Sequence, residues 1–360
     1  MRNILLSAAF LATVFGFASC KKNEDSGPQV KPYTVPATYS FSNASYAKAT
    51  SRVQMAVELD AYLRSANTGS AVVTLDAAKV AAMFNNVANP FSNASLNSSG
   101  VNLMENTTEG ALYKSFADSV VIFNTGATAA PGTGGFVPRG TNKIIVGPRG
   151  LEYGQAYTKG VMSALFFKEA VRLLTLAKNT AVTDTAAAQA FWDDAFAYLG
   201  VPANYDSSIT YASTDANRPV LWGGYLAERG KPIQAGGTIF QAFLKGRAAI
   251  GGYDKAVRDE QADVIMTKWE QLAAAAALQY VTAPTASTAV GNYGTQLHAL
   301  SEGFGFFAAF KYRPATSKLS AADFQTLDAI IHKDFYELLN QPGFTDLVKA
   351  QTILKTTYGL

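Results

Sequence analysis

The sequence predicts an all-α, multi-helix protein. Three observations carry that expectation: apolar residues recur at helical spacing from about residue 45 onward, alternating strand patterns are almost absent, and the breaks fall at Gly, Pro and Asn. The 360 residues are 48% hydrophobic, 12% aromatic and 16% charged. That is enough apolar mass for one large or two ordinary globular domains, and it excludes a chain disordered throughout.

The first thirty residues stand apart from the helical body. Residues 1–19 carry Arg2 and then an apolar run from Ile4 to Phe17, the form of a signal peptide and too short for a good membrane-spanning helix. Phe17-Ala18-Ser19-Cys20 resembles a bacterial lipobox, in which small residues precede a Cys that becomes the acylated N-terminus. Cys20 is the one Cys of the chain, so lipid attachment is expected there. Each buried methylene of an acyl chain contributes roughly 0.8 kcal/mol, so several chains anchor a protein to a membrane without a spanning helix. Residues 20–34, beginning Cys20-Lys21-Lys22-Asn23-Glu24-Asp25, are polar and aperiodic, and read as a lipidated tether. The expected location is the outer membrane, held by lipid, on its periplasmic face or at the cell surface.

Residues 35–360 read as an all-α domain, with two packed helical bundles divided near 200–220. Met55, Leu59, Tyr62 and Ala66 make the stripe of an amphipathic helix over 46–66. Asp76 opens a shorter helix toward Val87, stopped near Asn89-Pro90, and 91–106 reads as a Ser/Asn-rich loop before a helix over 108–123. Residues 126–150 form a long Gly/Pro-rich loop with one strand-like piece, Lys143-Ile144-Ile145-Val146. The helix over 151–178 is apolar nearly all round from Val161 to Leu174, which places it at the centre of a bundle. Over 184–199, Trp192, Phe196 and Leu199 fall on one stripe and Phe191, Ala195 and Tyr198 on its neighbour, with Asp193-Asp194 outside both. Helices follow over 219–229, 232–250, 253–281 and 291–312. Ser320 and Asp323 form a capping box for a helix whose face runs through Phe324, Leu327, Ile331, Phe335 and Leu338, and a last helix covers 345–358. Glycines inside these helices, Gly246 and Gly305 among them, cost roughly 1 kcal/mol each against Ala, a cost that close helix approach offsets.

Composition narrows the chemistry. One Cys excludes an intrachain disulfide, a zinc ribbon or an iron–sulfur cluster, and two His, His298 and His332, exclude any site of three His ligands. A net charge of +3, from 30 basic and 27 acidic side chains without a dense basic run, argues against a nucleic-acid partner. There is no GxSxG, HExxH or P-loop motif. The 22 Phe and 17 Tyr are mostly core by spacing. His298 and Glu302 stand four residues apart on one helix and face the same way, a pair able to share a divalent metal or iron ion. A third ligand would come from another helix, Glu152 or Glu169. The alternative for the pair is a buried His–Glu hydrogen bond. His332, beside Lys333 and off the apolar stripe, is expected to be exposed.

Several stretches carry a resemblance. Val35-Pro36-Ala37-Thr38-Tyr39-Ser40-Phe41, Leu151-Glu152-Tyr153-Gly154-Gln155 with Lys159-Gly160, Phe191-Trp192-Asp193-Asp194 through Gly200, and His298-Ala-Leu-Ser-Glu302-Gly-Phe-Gly305 resemble the DUF4856 family of Bacteroidetes lipoproteins, whose activity is uncharacterised. More distantly, the helical lipoprotein plan and the His–Glu helix are similar to imelysin-like proteins, paired helical bundles implicated in iron uptake, with the signature Gly-x-His-x-x-Glu. Here Gln296 takes the Gly place, Ser301 the Glu place, and Glu302 falls one residue later.

The resulting expectation is a cell-envelope lipoprotein with a binding or accessory role, in iron or other metal uptake if the resemblance to imelysin-like proteins holds. The alternatives are a metal-dependent hydrolase built on the His298/Glu302 helix and a glycan-binding surface lipoprotein.

Overall fold

A computed structural model of the chain describes residues 28–69, 71–104 and 109–360. The leader, Cys20 and residues 20–27 of the tether lie outside the described residues.

Helices make up the body, as the periodicity predicts. In chain order they are α1 (Ala47–Arg64), α2 (Ala77–Asn85), α3 (Ala94–Asn97) and α4 (Gly110–Phe123), followed by a β-hairpin. The central rod comes next: α5 (Tyr153–Val161), a π-helical turn over Met162–Phe167, and α6 (Lys168–Asn179). Beyond it lie α7 (Thr185–Tyr198), α8 (Trp222–Glu228), α9 (Ala235–Gly251), α10 (Lys255–Thr282), α11 (Tyr293–Phe307), α12 (Ala321–Ile331), α13 (Phe335–Asn340) and α14 (Thr345–Tyr358). Their starts are chemically marked. Asp76, Asp184, Asp254, Asn292, Ser320 and Asp334 each accept a backbone N–H of the first turn, satisfying donors that a helix start leaves free.

The Gly/Pro-rich loop folds more than expected. Its strand-like piece becomes β2 (Asn142–Val146), antiparallel to β1 (Gly135–Arg139), with Gly135 opposite Val146 and Arg139 opposite Asn142. Gly140, at φ +61°, makes the two-residue turn. Ile144, Ile145 and Val146 are all buried, which explains a continuous apolar run in place of alternation.

Three expectations are corrected. The face traced from Phe324 to Leu338 is not one helix: it breaks after Ile331, and Asp334 caps a new helix, α13. Within 91–106, which reads as loop throughout, residues Ala94–Asn97 close one helical turn capped by Asn93. Asp193 does not lie outside the core; it is 1% exposed. Arg247 of α9, itself buried, donates to both its oxygens at 2.7 and 3.3 Å, the Tyr39 hydroxyl donates to Oδ1 at 2.7 Å, and the Ser45 amide donates to Oδ2 at 3.1 Å. These partners hold residues 39–45 on α7 and α9, and Tyr39 stacks on Phe196 at 3.7 Å.

The segment 200–220, expected to separate two bundles, is an irregular connection, and one contiguous apolar cluster runs from Tyr39 to Leu354 across it. The rod of α5, the π turn and α6 lies at the centre, with Met162 to Phe167 wholly buried. The π turn leaves the Met162 carbonyl to the Trp222 indole N–H, which donates to it at 2.6 Å. Close approach answers for Gly246, where a Cβ would stand 2.0 Å from the Trp192 ring, and for Gly305. A Cβ on Gly305 would stand 2.2 Å from Lys159 Cβ and 2.7 Å from the Gly160 amide N, so α11 and α5 cross nearly backbone to backbone. That crossing brings the candidate site together.

Candidate functional site

Glu152 sits at the N-cap position of α5, Lys159 lies two turns further on, and His298 and Glu302 occupy one face of α11. Ser301 docks the two elements: its hydroxyl accepts the Glu152 amide N–H at 2.8 Å and donates to the Leu297 carbonyl at 2.7 Å. Ser301, which takes the place of the signature Glu, is thus a helix-to-helix clasp.

The acidic and basic groups form a row. Glu152 Oε2 is 2.7 Å from His298 Nδ1, and His298 Nε2 is 3.3 Å from Glu302 Oε1. Asn67 donates to the other Glu152 oxygen at 3.1 Å, and the Tyr225 hydroxyl donates to Glu302 Oε2 at 3.0 Å while lying 2.9 Å from the Tyr280 hydroxyl. Lys159 Nζ approaches Glu302 at 4.0 Å and lies over the Tyr225 ring. The guanidinium of Arg229 lies over the Tyr280 ring at 5.6 Å. The row therefore joins α5, α8, α10, α11 and the 3-10 turn Ser65–Asn67 after α1.

The electrostatics follow from burial and partners. Burial alone would pull the His298 imidazole down, but hydrogen bonds to Glu152 and Glu302, and their charges, outweigh it and push the ring up to about 9. Burial pushes Glu302 upward too, yet the Lys159 ammonium and the His298 ring more than offset it and hold the carboxyl at about 2. At neutral pH the row is a half-buried imidazolium, hydrogen-bonded to Glu152 through Nδ1 and ion-paired with Glu302 through Nε2.

Such a row does not fit a resident metal. A His ligand offers the lone pair of one unprotonated ring nitrogen, and other donors must converge on the same point. Here Glu152 and Glu302 lie off different nitrogens, so the two carboxylates diverge across the ring. Among the described residues, no group of three or more His, Cys, Asp or Glu side chains is arranged to hold a metal ion.

Of the residues singled out in the sequence, His298, Glu302 and Glu152 come together. Glu169 does not join them; it is held on its own helix by Lys168 and Arg172, at 2.7 and 2.8 Å. His332 is exposed and stands edge-on to Phe304. Sequence reasoning missed Tyr225, Tyr280 and Asn67, which no local motif marks. Lys159 has a trace in the sequence only as part of the Lys159-Gly160 stretch that carries the family resemblance.

A many-helix α-protein with a charged row buried at its central crossing is the class these features define. The domain of unknown function DUF4856 matches residues 36–357, and the chain belongs to that family. No curated protein and no solved structure matches it.

Proposed function

We propose that this protein is a cell-envelope lipoprotein with a binding or accessory role, anchored through acylated Cys20 at the outer membrane, on its periplasmic face or at the cell surface. The observation that carries the choice of binding over hydrolysis is the state of His298. Both ring nitrogens face carboxylates at hydrogen-bond distance, so the ring has no free lone pair to activate water or to ligate a catalytic metal. Glu302, held ionised by Lys159 and His298, is equally unsuited to donating a proton. The lipobox form of residues 17–20 and the polar tether support the anchor. No helix among the described residues is long and apolar enough to cross a membrane.

Metabolic labelling with a palmitate analogue tests the anchor: Cys20→Ala abolishes incorporation, and label that survives the substitution refutes it. Elemental analysis of protein purified without a metal-affinity tag tests the role. The expected result is no stoichiometric metal. A bound metal that is lost in His298→Ala, with peptide or ester turnover that disappears in Glu302→Gln, would establish the hydrolase instead.

A further inference from the structure

A second site lies on α10, ten residues before Tyr280 and therefore roughly 15 Å along the helix from the charged row. A cavity of about 600 Å³ opens there, between α10 and the segment around Lys318, with Tyr358 of α14 on its wall. That is within the size range of small-molecule sites. Glu270 lines this cavity and is only 1% exposed.

The arrangement around Glu270 is one-sided. The Ser317 hydroxyl donates to Oε1, and the Tyr358 hydroxyl donates to the same oxygen at 2.7 Å. Among the described residues no hydrogen bond reaches Oε2, and Glu270 lies in the cavity wall. No cation is paired with it among the described residues. Lys268 is turned to the Ile233 carbonyl and Gln271, Lys178 pairs with Asp263 at 2.6 Å, and Arg313 donates to the Phe310 carbonyl while lying over Phe324. Burial pushes the Glu270 carboxyl up, and the Ser317 and Tyr358 hydrogen bonds and the more distant Arg313 charge offset this only in part. Buried carboxylates are almost always paired, because an uncompensated buried charge is costly.

We propose that this cavity binds the ammonium end of a small organic amine, with Glu270 Oε2 as its acceptor. An ammonium group supplies a cation at ion-pair distance and needs only one carboxylate oxygen in a fixed place, whereas a hard metal cation needs several convergent oxygens. Val264 and the Tyr358 ring supply the apolar wall for its carbon chain. Lys318, exposed, and Lys268, held by the Ile233 carbonyl and Gln271, are like charges on the lining, and Lys318 is the one at the surface that such a ligand must approach. No residue of the His298 row takes part, so this site stands or falls separately from the role proposed above.

The test is an NMR titration of the full chain body at neutral pH with n-butylammonium chloride, and with n-butanol and maltose as neutral probes. Saturable binding of n-butylammonium alone is expected, weakened at least tenfold in Glu270→Gln. Lys318→Glu lies on the surface away from the core and removes the like charge; it tightens binding several-fold, which keeps the test decisive even where Glu270→Gln fails to fold. Absence of saturable amine binding overturns the proposal. So does equal affinity for n-butanol or maltose, equal affinity in Glu270→Gln, or an unchanged affinity in Lys318→Glu.

Discussion

Arg247 and Asp193 form a two-pronged ion pair with both side chains out of water, and its outer edge holds the N-terminal segment through Tyr39, Asn43 and Ser45. The pair fastens residues 39–45 to the helical body. Upstream of that stretch, the Lys31 amide donates to the Gly252 carbonyl at 2.8 Å and the Tyr33 hydroxyl to Asp254 at 2.9 Å.

Removing one partner leaves the other charge buried without compensation, which costs about 3–5 kcal/mol. Asp193→Ala and Arg247→Met should each lower the stability by that order. The double substitution should cost clearly less than the sum of the two, because each change removes the charge that the other orphans. Additive losses in urea denaturation would show that the pair is not coupled.

Glycines of the same chain should respond to alanine with opposite signs. At Gly305 the new methyl meets Lys159 Cβ at 2.2 Å and backbone at 2.7 Å, so the α5–α11 crossing must open, at a cost of about 1–3 kcal/mol or more. Gly224, inside α8, has nothing within 4 Å of an added Cβ, and alanine there should stabilise by about 0.5–1 kcal/mol through helix propensity and a less flexible unfolded chain. Thermal unfolding of the two variants decides both.

The charged row gives stability a defined pH dependence. His298 is raised from 6.5 to about 9 on folding, so its contribution is full below pH 6.5 and is lost as pH rises through 9. Glu302 is lowered from 4.5 to about 2, so its share is full above pH 4.5 and is lost as pH falls through 2. The two changes describe one shared interaction, fully present between pH 4.5 and 6.5. On the alkaline side the loss is about 3 kcal/mol, because a tenfold change in proton affinity is worth about 1.4 kcal/mol. His298→Gln should flatten the decline between pH 6.5 and 9, and a variant with the wild-type slope would assign that decline to other groups.

How much of this is legible in the sequence depends on how local the cause is. The stripe of α1, the caps at Asp76, Asp184 and Ser320, and the all-round apolar rod at 161–174 are written within a few residues of where they act. The His298–Glu302 pair is visible for the same reason, since four-residue spacing alone places both on one face. The choice of Glu152 over Glu169 is not, because Glu152 reaches His298 through the α5–α11 crossing, which joins residues nearly 150 positions apart. Asp193 reads wrongly from spacing because its inward turn is decided by Arg247, on α9, and by Tyr39, far back in the chain. Glu270 carries no signal at all; its hydrogen-bond partners, Ser317 and Tyr358, are both distant in sequence.

His298 is a proton-holding bridge between two carboxylates, and the preference for a binding role over metal-dependent chemistry rests on that state. The ¹⁵N NMR signature of its ring at pH 7.5, followed upward in pH, reads the state without an intermediary. Two protonated nitrogens that persist until the ring titrates near 9 are expected. A neutral ring with one unprotonated nitrogen at pH 7.5, or titration near the ordinary 6.5, would overturn the bridge and the binding role with it.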